Sequence, residues 1–383
     1  MFKKTVGLLL STACVIVLSV GMSYAETGNP ALENQGDSIE EYNKMLSSFK
    51  TLRSAEAYPD YYAGSYVDDD GELVVLVKED TADNIATIKL LTSNPDIQTK
   101  KAHYSLNELK GVKNEIAKYF DMDTTGATKE IVDSIVGVGT DEMNNRVNVC
   151  MENLSEEKIA AFKILVSDSE MVTFENDDQY RLSASRNLGS GVTLSGSKGS
   201  GSLSIGFRAQ KIVNGKAING FVTACHGYYY ANDAKAYELD SRDPLGTVYA
   251  AHFGQMSDAA FVGVTNGDSI SSTVGGTGKI LVGNHYYEDI PVNATVYKYG
   301  ITTKETSGKV KENDFSFKVD GVNFGDMVRT TAKADEGDSG GITYTYVNGD
   351  YIPDGVVMAN NILGSMIYSK LSNIIVDLDI TPY

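Results

Sequence analysis

Ala334–Tyr344 reads ADEGDSGGITY, and within it Gly337-Asp338-Ser339-Gly340-Gly341 fits the pattern G-x-S-x-G, which often marks a nucleophilic serine. A serine hydroxyl attacks poorly until a base takes its proton and a third group orients that base. The bases on offer are His103, His226, His252 and His285, and all four precede Ser339. An α/β-hydrolase needs its histidine after the serine, so that fold cannot supply the base here. The orders left are His-Asp-Ser and Asp-His-Ser.

Working outward from Ser339, GFVTACH sets His226 directly after the apolar run Phe221–Ala224. A base at the end of a strand is held rigidly and can still face a cleft. MSDAAFVGV sets Asp258 just before another apolar strand, where a carboxylate can be buried and hydrogen-bonded to an imidazole. The spacing His226, Asp258, Ser339 is 32 and then 81 residues. Asp268 is the fallback acid, but it follows Asn266-Gly267 and reads as part of a turn. Around these blocks, LSIGFRAQKIV, AAFVGVT, ATVYKYG, SGKVKEN, FSFKVDGVNF, DMVRTTA, GITYTYV and DGVVMAN are short β-like runs separated by turn residues, as in a sandwich or barrel. Only SMIYSKLSNIIVDLDI, at the end, is read as holding a helix.

FVTACH, SDAAFV and EGDSGG in this order resemble the trypsin-like (chymotrypsin-fold) serine peptidases. VYKYGITTKETSGKV and DGVVMANN narrow the resemblance to the bacterial alpha-lytic protease and streptogrisin type, the second resembling the strand that lines its specificity pocket. YYAGSYVDDDGELVVLV and NNRVNVCMENLSEEKIAAFKILV resemble the pro-regions of that type. The resemblance spans roughly residues 55 to 375. It implies an all-β catalytic domain, a double six-stranded antiparallel β-barrel, preceded by a smaller α+β pro-domain. It implies Ser339 as nucleophile, His226 as general base and then acid, and Asp258 as the group that orients it. The backbone N–H groups of Gly337 and Ser339 would form the oxyanion hole, and Asp338 would pair with a new N-terminus or another internal cation. The pocket is expected around Asp335, Glu336, Met358, Ala359 and Asn360, with Met358 narrowing it and Asp335 or Glu336 favouring a basic side chain at its rim. Two departures stand beside the histidine: Cys225 replaces a usual glycine and Gly227 a usual cysteine, so the disulfide there is absent.

The rest of the chain sets the frame. It has 383 residues, 33 Lys plus Arg and 51 Asp plus Glu, a formal charge of −18 that argues against a nucleic-acid partner. From Asn187 onward 15 basic and 20 acidic residues give −5, so the front carries the remaining −13. Lys3 and Lys4, an apolar run and Ser23-Tyr24-Ala25 read as a signal peptide cut after Ala25, hence a secreted protein with no membrane segment afterwards. Cys14 leaves with it. Cys150 and Cys225 remain, so at most one disulfide can form, and no Cys/His cluster has zinc spacing. Neither metal nor cofactor is expected; Asp240 and Asp243 in ELDSRD read as an exposed acidic turn rather than a calcium loop. GYYYAND is read either as a substrate contact or as cover for the barrel. His252 and His285 match no block, and with His103 are read as packing or surface residues.

Residues 26 to about 37 read as a polar leader. SIEEYNKMLSSFK spaces Ile39, Tyr42, Met45, Leu46 and Phe49 as a helix, YYAGSYVDDDGELVVLVKED reads as a hairpin, LNELKGVKNEIAKYF as a helix, NNRVNVCMEN as a strand, SEEKIAAFKILV as a helix capped by Ser155, and MVTFEND as a strand. SASRNLGSGVTLSGSKGSGS reads as a cleavable linker. The expected organisation is a signal peptide over 1–25, a pro-region over 26–186 (α+β over about 40–180) and a serine peptidase domain over 187–383. The function it predicts is a monomeric, secreted endopeptidase acting on polypeptide substrates, with its own pro-region as folding aid and inhibitor. The alternatives are a catalytically silent peptidase-like binding module and an esterase using the same triad.

Overall fold

The apolar spacing at Ile39, Tyr42, Met45, Leu46 and Phe49 makes one face of helix α1 (Pro30–Leu52), and all five side chains are buried. The computed structural model describes residues 30–52, 58–182, 192–195, 202–228, 235–238, 244–264 and 270–383. The polar leader expected over 26–37 is helical from Pro30 on. Gln35 and Ser38 are buried there because they find partners: Gln35 exchanges hydrogen bonds with the backbone of Thr295, and Ser38 donates to Gly71 O at 2.7 Å. Those partners lie far along the chain, so local polarity misreads the segment.

The front continues with the expected antiparallel hairpin β1 (Tyr62–Val67) and β2 (Leu73–Val77), then α2 (Ala82–Thr92) and β3 (Gln98–Lys101) parallel to β2. Helix α3 (Leu106–Ala117) opens with a capping box between Ser105 and Glu108. After α4 (Gly126–Asp133) come β4 (Ile135–Asp141) and β5 (Arg146–Met151). Helix α5 (Glu156–Leu165) is capped by Ser155, whose hydroxyl accepts from Lys158 N at 3.3 Å. Two further strands follow, β6 (Val172–Asn176) and the short β7 (Arg181–Leu182).

The rear is almost all β. One eight-stranded sheet contains β8 (Val192–Ser195), β9 (Ser202–Leu203), β10 (Arg208–Val213), β11 (Lys216–Thr223), β12 (Lys235–Glu238), β13 (Pro244–Gly254) and β14 (Ser257–Val264). The second contains β15 (Thr295–Gly300), β16 (Lys304–Val319), β17 (Val322–Thr330), β18 (Ile342–Val347), β19 (Asp350–Asn360) and β20 (Met366–Lys370). The expected terminal helix is α6 (Leu371–Leu378), and β21 (Thr381–Pro382) returns to the first sheet beside β10. In the second sheet the six strands pair in the order β15-β18-β19-β20-β17-β16, and β15 pairs with β16 as well, so these six close on themselves. The runs SGKVKEN and FSFKVDGVNF are not separate strands. They are one long β16 and its turn into β17, made at Asp320 and Gly321, both at positive φ. Ala209, Val222 and Phe261 of the first sheet share one buried cluster with Tyr297, Tyr344 and Val356 of the second.

Front and rear form one sheet where β4 pairs with β16, Gly137 opposite Phe317 and Gly139 opposite Phe315. A Cβ on Gly137 would sit 2.2 Å from the Phe315 ring, so only glycine lets this ring lie across β4. Beside that seam Lys110 and Lys113 donate to Asp314 at 2.9 and 2.6 Å, and Lys370 meets Asp289 and Asp326. Burial would raise the Asp314 carboxyl, but Lys110 and Lys113 outweigh it and hold it well below the usual range.

Glu142, in the β4–β5 turn, has no such excess of cations. Its carboxylate accepts Ser65 N–H at 2.7 Å, yet burial pushes its pKa up to about 7. The unfolded carboxyl titrates near 4.5. Between these values the folded chain holds a proton that the unfolded chain has released, so stability is full below the lower value and falls as pH rises through the upper one. The loss is on the order of 3 kcal/mol from this group. Urea unfolding of Glu142→Gln at several pH values is expected to flatten that part of the profile. An unchanged slope would remove Glu142 as its cause.

Candidate active site

The end of β11 carries His226 into a short 3-10 turn, and Asp258 begins β14, the strand hydrogen-bonded to β11. Neighbouring strands therefore bring together two residues that lie far apart in sequence. Asp258 is fully buried. Its Oδ1 accepts the N–H groups of Cys225 and His226 at 2.8 and 2.9 Å, and its Oδ2 lies 2.5 Å from His226 Nδ1. Asp258 N donates to Ser369 Oγ at 3.0 Å, tying the acid to β20 of the other sheet. The arrangement fixes the imidazole plane and points its other nitrogen away from the carboxylate. That nitrogen, Nε2, is buried and has no hydrogen-bond partner.

Ser339 is likewise buried, and its hydroxyl donates to Met358 O at 3.3 Å rather than to the imidazole. The structure thus joins His226 to Asp258 and leaves Ser339 turned to the strand expected to line the pocket. The loop before the serine is pinned from several sides. Gly337 (φ 97°) and Gly340 (φ 78°) take left-handed conformations that favour glycine, and a Cβ on Gly340 would lie 2.1 Å from Thr223 Oγ1. Ser204 accounts for both flanking carbonyls: its Oγ donates to Gly337 O at 2.8 Å and its N–H to Ser339 O at 2.7 Å. The peptides that carry the expected oxyanion donors are held through their own carbonyls: Glu336 O accepts from Thr302 Oγ1 at 2.6 Å, in the plane of Gly337 N–H, and Asp338 O from Gly341 N at 2.8 Å, in the plane of Ser339 N–H.

Asp338 answers the question of its cation: it is Lys298 on β15, at 2.9 Å, with both side chains fully buried. The carboxylate also accepts from the N–H groups of Thr302, Thr303 and Asp335. Because the cation is internal, the Ser339 loop is already held in the intact chain, and no new N-terminus is needed for it. Lys298 escaped sequence reading. It sits in VYKYG, where alternation with tyrosines looks like an ordinary strand, and only its ring of acceptors reveals its role.

Of the expected pocket residues, Met358, Ala359 and Asn360 are buried on β19, whereas Asp335 and Glu336 are exposed. Met358 packs with Cys150 and Tyr180 of the front region. Strand β7 pairs antiparallel with β19, Leu182 opposite Ala359 and Arg181 opposite Asn360. Cys150 and Cys225 are both reduced and buried, so the one disulfide the sequence allowed is not formed. His252 bonds Gly254 O and faces Asp377, His285 packs on Tyr287, and His103 lies in the front region. Asp268, Asp240, Asp243, Tyr229, Tyr230 and most of the Ser/Gly-rich stretch lie outside the described residues. Among the described residues no His, Cys, Asp or Glu cluster is placed to hold a metal ion, and no helix is long and apolar enough to cross a membrane.

Residues 29–102 match the model of a Pro-like N-terminal domain, and residues 107–177 that of a Pro-like C-terminal domain. The front region is Pro-like. The boundary between the two matches falls between β3 and α3, so the Pro-like C-terminal part is the one that shares a sheet with β16. No curated protein matches the chain. Among solved structures, a chymotrypsin of Cellulomonas bogoriensis is 23% identical over 52% of this chain and 98% of its own, with a TM-score of 0.40. A glutamic acid specific serine protease that uses a histidine triad in substrate binding is 24% identical over 51% and 99%, at 0.42. An alpha-lytic protease homologue, N4, is 18% identical over 51% and 98%, at 0.38.

Proposed function

We propose that this chain is the precursor of a secreted serine endopeptidase whose Pro-like region blocks the cleft until it is cut away. The observation that carries the reading is the His226–Asp258 couple, with Nδ1 engaged and Nε2 buried without a partner. An imidazole so held has one free lone pair in a water-poor site, and a proton acceptor is what Ser339 lacks. In the proposed reaction Ser339 leaves Met358 O and passes its proton to His226 Nε2 as Oγ attacks a peptide carbonyl carbon. The oxyanion is received by the N–H groups of Gly337 and Ser339, donors of a kind worth roughly 3–4 kcal/mol each. His226 returns the proton to the departing amine, and water then hydrolyses the acyl-enzyme by the same route.

The order of the three catalytic blocks, the Pro-like matches ahead of the β-rich rear and the seating of β7 on β19 support this reading. Cleavage is placed within Arg186–Ser190, separating 26–186 from 187–383. A fluorophosphonate probe tests it. Labelling of the matured chain and not of Ser339→Ala supports the hydrolase. Failure to label mature wild type would leave a silent binding module, and labelling without hydrolysis of any peptide would point to an esterase. Mass spectrometry is expected to place the mature N-terminus within the Arg186–Ser190 segment. A full-length Ser339→Ala chain that is cut as fast as wild type would assign maturation to another protease.

A further inference from the structure

From the end of β6 toward β7, Asp177 and Tyr180 are buried, while Asn176 and Gln179 face solvent. Both buried side chains enter a slot made by the rear of the molecule. The Tyr180 ring meets Phe315 and Phe317 edge-on at 6.0 and 5.5 Å. Its hydroxyl donates to Asp177 Oδ2 and accepts from Arg329 Nε, each at 2.9 Å. Asp177 Oδ2 accepts from Arg329 Nη2 at 2.8 Å, and Oδ1 from Asn361 Nδ2 at 2.6 Å. The next two residues, Arg181 and Leu182, pair with Asn360 and Ala359 on β19.

Every residue on one side of this contact precedes the proposed cut and every residue on the other side follows it. Removal of the front therefore empties the slot. Arg329 Nη1 keeps Glu312 at 3.2 Å, but Nε and Nη2 lose Tyr180, Asp177 and Glu175 together. Guanidinium donors that have lost two carboxylates and a phenol favour a ligand that brings the same acceptors back. We propose that Arg329, Asn361, Phe315 and Phe317 form an extended substrate subsite that selects a tyrosine preceded three residues earlier by a carboxylate, with the two residues after the tyrosine laid on β19. The inference rests on the peptidase reading and gives that site its substrate class: polypeptides with an acidic-x-x-tyrosine segment upstream of the scissile bond.

Internally quenched peptides of residues 174–192 test it on the protein matured from the full chain. One has the natural sequence, one carries Asp177→Asn and one Tyr180→Ala. Each change is expected to lower kcat/KM at least tenfold, mainly through KM. In Arg329→Gln the three peptides should converge to within about twofold. The peptide changes probe the wild-type protein, so the test stands even where Arg329→Gln does not fold. A fluorescein-labelled peptide of residues 174–185, titrated onto the same protein, reads the slot without turnover, and each change should weaken it at least tenfold. Equal turnover or equal binding of the three peptides overturns the inference. Absence of both turnover and fluorophosphonate labelling strikes the peptidase reading, and the binding titration still decides the slot.

Discussion

Replacing Ser339 by alanine is expected to lower kcat/KM of the matured protein by about a million-fold, leaving only what the anion-binding amides and substrate binding provide. Asp258→Asn should cost about ten-thousand-fold, for a reason the geometry makes specific. Asp258 Oδ1 already serves two backbone amides, Cys225 N and His226 N, so an asparagine there keeps its oxygen on them. Its NH2 then faces His226 Nδ1, where Oδ2 sits now. The ring must turn its lone pair toward that donor and carry its proton on Nε2. A protonated Nε2 cannot take the Ser339 proton, although the fold is unchanged. Initial rates on a short peptide substrate, with circular dichroism to verify folding, measure both. A folded Asp258→Asn with more than a tenth of wild-type activity would mean that His226 is oriented by something else. A folded Ser339→Ala that keeps more than a thousandth of wild-type activity would remove Ser339 from the chemistry.

The elements that sequence reading reached share one property: their signal is local. The α1 face, the β1–β2 hairpin, the Ser155 cap and the β runs flanking His226, Asp258 and Ser339 each show within a dozen residues. What that reading missed or misread has long-range causes. Residues 30–37 are polar and still helical because Gln35 finds Thr295, 260 positions away. Gly137 and Gly139 look like ordinary strand glycines until Phe315 lies across them. Arg329 looks like an exposed strand arginine but is buried against Glu175, Asp177 and Glu312. The order of the His226, Asp258 and Ser339 blocks could be read because it is one-dimensional. The Ser339–Met358 hydrogen bond could not, because it depends on how β19 lies against the Ser339 loop.

Lys298→Met is expected to lower the unfolding free energy by about 3–5 kcal/mol, the cost of leaving a buried charge without its partner. Burial pulls the Lys298 ammonium below its usual pKa, and Asp338 pulls it back. Burial would raise the Asp338 carboxyl, but Lys298 and the donors around it hold it below the usual range. Each charge is tolerated because of the other. Without Lys298 the carboxylate keeps the Thr302, Thr303 and Asp335 amides, so the loop retains its path while Asp338 is driven to bind a proton. That gives the variant a pH signature. With Asp338 held low in wild type, its contribution is present above the unfolded carboxyl value and is lost only as pH falls through the lower folded value. In Lys298→Met that value rises, so the deficit against wild type should shrink toward acidic pH, where the carboxyl is neutral in both the folded variant and the unfolded chain. Lys304, whose exposed side chain donates to Ile301 O at 2.7 Å, is the control, and Lys304→Met, which leaves the backbone carbonyl that Lys298 bonds in place, should cost less than about 1 kcal/mol. Urea unfolding of both variants in the Ser339→Ala background at pH 5 and pH 7, where self-cleavage cannot intervene, measures the difference. The same loss for the two lysines, or a Lys298→Met deficit that grows on acidification, would show that Asp338 is held by its three amides and not by the buried cation.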